Sequence, residues 1–82
     1  MPLIQVKMIE KVFTPRQKQE VINRLTDAMV SVEGESLRPY TLVILEEVGS
    51  GEWAIGGKSL TTEEVHMIAA KSGREEGKEK GR

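Results

Sequence analysis

The chain of 82 residues has no cysteine, one histidine, and a single Trp, Tyr and Phe. Without cysteine there is no disulfide and no thiolate metal site. One imidazole cannot build a His-rich cluster, so no metal is expected. No apolar run approaches the roughly 18 residues that a membrane helix needs. An excess of one charge is missing too. The 12 Lys+Arg against 13 Asp+Glu leave a net charge of -1, which offers no general attraction to nucleic acid or to an anionic membrane. The opening Met1-Pro2-Leu3-Ile4-Gln5 lacks the basic start and long apolar core of a signal peptide. These features lead to the expectation of a soluble, cytoplasmic protein with neither nucleic acid nor membrane as partner. Apolar residues make up 38% and aromatics 4%, a thin supply for an isolated core. A domain this small needs a staple or a partner, and oligomerisation is the expected answer.

What is present falls into a body, residues 1–70, and a tail, residues 71–82. The tail reads KSGREEGKEKGR, with five basic and three acidic side chains and no apolar one. It is expected to be disordered. In the body, Pro2 to Ile9 alternates with period two. Ile4, Val6 and Met8 share one face of a strand, and Leu3, Gln5, Lys7 and Ile9 share a mixed face. Thr14-Pro15-Arg16-Gln17 is a helix start, with Thr14 as cap, Pro15 at the first helical position and Gln17 closing a capping box. Val21, Ile22, Leu25, Ala28, Met29 and Val32 recur at helical spacing, with Lys18, Glu20, Arg24 and Asp27 opposite. Gly34 is the expected terminator. Tyr40 to Val48 reads as a second strand, and its unbroken Leu42-Val43-Ile44-Leu45 implies burial on both faces. Gly49-Ser50-Gly51 is a turn, Trp53-Ala54-Ile55 an extended piece ended by Gly56-Gly57, and Thr61-Thr62-Glu63-Glu64 a second capping box opening a helix to about Ala70. The order strand, helix, strand, hairpin, helix predicts a parallel pair of strands with a crossover helix on one face. Such a two-stranded sheet is expected to be extended by further copies.

Chemistry can sit at Pro2. If the initiator Met is removed, which a small second residue favours, Pro2 presents a free secondary amine. An ordinary α-amino group titrates at about 7.7–8.0. Apolar surroundings and a nearby cation favour its neutral form, which can act as a general base or a nucleophile. Other groups have plainer readings. His66 reads as a surface or partly packed histidine. Glu46 and Glu47 are successive strand residues on opposite faces and do not form a dyad. The glycines lack a following helix at phosphate-loop spacing. Tyr40 is a packing or pocket residue, and Met8 and Met29 are core.

Four segments in order carry a wider resemblance: the PLIQVKMIE opening, the TPRQKQEVI helix start, the LVILEEV strand and the GEWAIGG hairpin. From Pro2 to about Val65 the chain resembles the 4-oxalocrotonate tautomerase family. The resemblance implies an α+β fold, a βαβ unit with a C-terminal hairpin and short helix, assembled as a homo-oligomer, a hexamer or similar multiple of dimers. It implies an isomerase that needs no cofactor, with Pro2 as the base for keto–enol or allylic proton transfer on a small carbonyl acid. Trp53 matches the hairpin aromatic that helps keep the amine neutral. Two family arginines that bind substrate carboxylates are not matched cleanly. The first position falls on Lys11 or Val12, and the second on Leu42, with Arg38 four residues earlier. Lys11 and Arg38 are the candidate substrate-binding cations. Lys11 lacks the planar fork that grips a carboxylate bidentately. Two alternatives stay open: a hydratase or dehalogenase of the same superfamily, and a non-catalytic subunit of a mixed oligomer.

Overall fold

A computed structural model describes the backbone of residues 1–79, and side chains as far as residue 71. The chain divides into two compact units. One comprises Met1–Met8 with Phe13–Glu47, and the other Ile9–Val12 with the segment from Val48 onward.

In the first unit, strand β1 (Leu3–Ile9) leads into helix α1 (Pro15–Glu33), then a 3₁₀ turn (Glu35–Tyr40) and strand β2 (Leu42–Val48). The two strands form a parallel two-stranded sheet, with the Leu42 N–H donating to the Pro2 carbonyl at 3.1 Å. The α1 start is capped as its sequence dictates. Gln17 N–H donates to Thr14 Oγ1 at 3.1 Å, and Thr14 N–H donates to Gln17 Oε1 at 2.9 Å. At the other end Gly34 takes φ 104, a conformation that glycine adopts without penalty.

The covered stripe of α1 runs Lys18, Val21, Ile22, Leu25, Thr26, Met29, Val30 and Glu33, a spacing of 3.6 residues. This corrects the sequence reading at three places. Val30 is buried where Val32 was expected, Val32 and Ala28 are exposed, and Lys18 lies on the covered side. Polar residues enter the stripe because each is satisfied. Thr26 Oγ1 donates to the Ile22 carbonyl, Lys18 pairs with Glu47 at 2.8 Å, and the Glu33 carboxylate meets the Thr41 hydroxyl.

The sheet alternates as expected in β1, with Ile4, Val6 and Met8 covered, while Ile9 is buried although it falls on the mixed face. The expectation of β2 buried on both faces does not hold within one chain. Val43 and Leu45 are covered, whereas Leu42 and Ile44 are 50% and 42% exposed. A single helix covers one face only, and on the other Leu3, also exposed, joins them. Glu46 and Glu47 do point apart, Glu46 pairing with Lys7 at 3.7 Å and Glu47 with Lys18. Tyr40 closes the 3₁₀ turn instead of opening β2: the Thr41 N–H donates back to the Arg38 carbonyl at 3.2 Å, and pairing with β1 starts at Leu42.

In the second unit, β3 (Trp53–Ile55) and β4 (Lys58–Leu60) form an antiparallel hairpin in which Trp53 faces Leu60. Its two-residue turn, Gly56-Gly57, has φ 59 and 84; a type I′ turn needs both positive. Helix α2 (Thr62–Glu79) starts on the second capping box, with Glu64 N–H donating to Thr61 Oγ1 and Thr61 N–H to Glu64 Oε1. The helix runs nine residues past its expected end at Ala70, into the segment expected to be a disordered tail. Arg74, Glu75, Glu76, Lys78 and Glu79 are strong helix formers and offset the glycines there. Residues 80–82 of that tail lie outside the described residues. Among the described residues no helix is long and apolar enough to cross a membrane.

Thr14→Ala removes the side-chain half of the α1 capping box, the bond from Gln17 N–H to Oγ1, and keeps the backbone N–H that donates to Gln17 Oε1. It is expected to lower stability by about 1 kcal/mol, read as a lower urea midpoint with an unchanged slope at fixed protein concentration.

Candidate active site

Pro2 sits immediately before β1 and is half-buried. Its carbonyl is the acceptor for Leu42 N–H, so the sheet fixes the residue through its own backbone at the point where both strands begin. With Met1 attached, the Pro2 nitrogen is an amide and has no basicity. Met1 itself is 81% exposed, so it is open to removal.

Arg38 lies in the 3₁₀ turn of the same unit. Its guanidinium grips Glu35 bidentately, Nε to Oε1 at 3.0 Å and Nη2 to Oε2 at 2.9 Å, and Nη1 donates to Asp27 Oδ1 at 2.8 Å. This matches the fork geometry that arginine offers and lysine does not. The hydrogen bond from Arg38 pulls the Glu35 carboxyl below the ordinary glutamate range. The bonds to Glu35 and then Asp27 push the guanidinium further up. Arg38 therefore ties the 3₁₀ turn to α1, and a substrate carboxylate has to compete with two resident ones for it.

Lys11 and Trp53 belong to the second unit. Trp53 opens β3 and is half-buried. Lys11 is exposed in the loop after β1 and has φ 62, the one positive value at a non-glycine among the described residues. Holding a side chain in that left-handed region costs about 1–2 kcal/mol. A polar network surrounds the loop. Thr62 Oγ1 donates to the Glu10 carbonyl at 2.7 Å, Ser50 N–H to Glu10 Oε2 at 2.9 Å, and Thr62 N–H to Ser50 Oγ at 2.8 Å. Glu10 N–H donates to the Val48 carbonyl at 2.8 Å. His66 Nε2 lies 2.8 Å from the Lys11 carbonyl. Sequence reasoning placed Thr62 in the capping segment and His66 at the surface, where it is exposed, but missed the bonds of both to the loop. Their four-residue spacing just inside a capping box is a signal that both project from one helix face, but it does not say toward what.

The first unit also has a shallow cleft on α1 of about 240 Å³, lined by Phe13, Gln17, Glu20, Val21 and Arg24. Glu20 and Arg24 there are paired with each other, and the cleft does not include Pro2.

Residues 2–63 match the family model described as "Tautomerase enzyme". The match begins on Pro2 and ends inside the first turn of α2. The chain belongs to the 4-oxalocrotonate tautomerase family. It is 33% identical over 61 residues to "Probable tautomerase K2" of Dickeya dadantii, covering 74% of this chain and 90% of that one. It is 34% identical over 74 residues to "Probable tautomerase" of Helicobacter pylori, covering 88% of this chain and all of that one. A solved structure of 4-oxalocrotonate tautomerase isozymes from Methylibium petroleiphilum superimposes with a TM-score of 0.63 at 34% identity, covering 71% of this chain and 90% of that one. The tautomerase family brings with it isomerase activity in general terms. Most of α2 lies beyond the matched family core.

The Arg38–Glu35 pair gives a pH expectation. The Glu35 pKa is depressed on folding, so its contribution to stability is present above the ordinary glutamate value and is lost as pH falls through the folded one. Glu35→Gln removes this part. The denaturation midpoints of wild type and variant should therefore converge as pH is lowered below about 4, and differ most near neutrality.

Proposed function

We propose that the protein is a tautomerase in which Pro2, exposed by removal of Met1, is the general base for proton transfer within a small carbonyl acid. The neutral amine takes a proton from a carbon next to the carbonyl and becomes an ammonium, while the electrons move onto the carbonyl oxygen as an enolate. The ammonium returns a proton further along the conjugated system, which restores the amine and leaves an isomer of the substrate. Atoms and charge balance without a cofactor. Lys11 and Arg38 are the cations proposed to meet the substrate carboxylate and the charge developing on oxygen. Trp53 is proposed to shape an apolar pocket that disfavours the ammonium form. The observation that carries this reading is the family match starting on Pro2, a residue whose carbonyl is bonded to the first residue of β2.

The assembly proposed is a homo-oligomer, a hexamer or similar multiple of dimers. It is supported by Leu3, Leu42 and Ile44, which stay exposed on one face of the sheet. Each such side chain is about half exposed and forgoes about half of the roughly 1.5–3 kcal/mol that full burial contributes. Light scattering is expected to show an oligomer at micromolar concentration, and Ile44→Lys to shift it toward smaller species. A stable wild-type monomer near 9 kDa contradicts the proposal.

Intact mass is expected to show loss of one methionine. Pro2→Ala should fold and assemble but lose about 10²–10⁴ in rate, the usual contribution of a positioned base. Ultraviolet absorbance with an enol acid such as phenylenolpyruvate reads the rate, and kcat/KM of the wild type should rise with pH as the amine loses its proton. Full activity in correctly assembled Pro2→Ala overturns the proline mechanism.

A further inference from the structure

The left-handed backbone at Lys11 is an unusual place for a lysine, because glycine takes φ 62 without penalty and lysine does not. A strained residue persists only where its surroundings hold it. Here the first two turns of α2 hold two successive carbonyls of the loop. Thr62 Oγ1 donates to Glu10 O at 2.7 Å, and His66 Nε2 is 2.8 Å from Lys11 O. A carbonyl only accepts, so Nε2 carries the proton in that bond, in the neutral ring as in the imidazolium. Thr62 and His66 are four residues apart on one helix, which puts both donors on one face.

The two contacts do different work. Thr62 is buried, and with Ser50 and Glu10 it closes a ring of hydrogen bonds that anchors the loop to α2 without any help from His66. His66 adds a contact to Lys11 alone, at the one residue whose backbone is strained. His66 also lies just past residue 63, where the family match ends.

We infer that His66 is a positioning residue for Lys11: its Nε2–H holds the Lys11 carbonyl, keeps that residue left-handed, and so sets how well the Lys11 ammonium binds the carboxylate of the substrate. The inference rests on the proposed function in one respect, that Lys11 meets the substrate.

Four variants, all assayed on assembled protein, decide it: His66→Ala, His66→Gln, Lys11→Gly and the double variant His66→Ala/Lys11→Gly. His66→Ala should raise KM for a carbonyl acid about tenfold, the loss expected when one charge-assisted contact is misplaced, with kcat little changed. His66→Gln keeps an N–H donor and should restore most of KM. In the Lys11→Gly background, His66→Ala should have no further effect on KM. Hydrogen exchange of the amides of residues 10–13 should be faster in His66→Ala and near wild type in His66→Gln. A wild-type KM in His66→Ala, a KM rise that persists in the Lys11→Gly background, or no rescue by glutamine overturns the inference. Failure of the tautomerase reading looks different, since it appears as no turnover by wild type or full activity in Pro2→Ala. Exchange then decides whether His66 holds the loop: acceleration in His66→Ala supports that role, and unchanged exchange overturns it.

Discussion

Two parallel neighbouring strands cannot be joined by a tight turn, because the chain must travel back along the whole strand before it can start the second one. That constraint organises the first unit. The 19 residues of α1 span about 28 Å, enough to return past a seven-residue strand of about 23 Å. The 3₁₀ turn takes up the remainder. The crossover places α1 on one face, and Leu3, Leu42 and Ile44 stay exposed on the other. It also brings the starts of both strands together, which is where Pro2 sits with its carbonyl bonded to Leu42. The candidate base and the bare apolar face are thus two consequences of one topology.

Charges in this small protein are used mostly for fastening. Lys18–Glu47 spans from α1 to β2, Lys7–Glu46 lies across the outer face of the sheet, and Arg38 is shared between Glu35 and Asp27. Exposed pairs of this kind contribute about 0–1 kcal/mol each, so their effect is to choose geometry more than to add stability. For Arg38 the consequence bears on its proposed role as well. A guanidinium already held by two carboxylates is a poorer ligand for a third.

The loop after β1 shows the opposite economy. It accepts a strained residue and is held by hydrogen bonds that involve the turn before β3 and the first turns of α2. The helix that begins at the margin of the family core therefore does more than follow the hairpin. Its first turns supply the donors for two loop carbonyls.

The sequence by itself determined the elements and the starts of both helices, because those depend on neighbours three or four residues away; the end of α2 and the start of β2 lay elsewhere than expected. Thr14 with Gln17 and Thr61 with Glu64 close capping boxes, Gly56-Gly57 makes a two-residue turn, and alternation sets the faces of β1. It also pointed to Pro2 as the candidate, since a proline that follows a methionine and opens a strand is visible in one dimension. Only the tertiary structure decided which side of α1 is covered, since the slip from Val32 to Val30 goes with Lys18 finding its partner Glu47 on β2. It alone showed that half of the apolar run in β2 is left bare, because coverage depends on how many helices there are and not on the run itself. And it alone joined His66 to Lys11, a contact between residues 55 positions apart. Hydrogen bonds to backbone carbonyls of that kind leave no mark on residue type, so no local pattern records them.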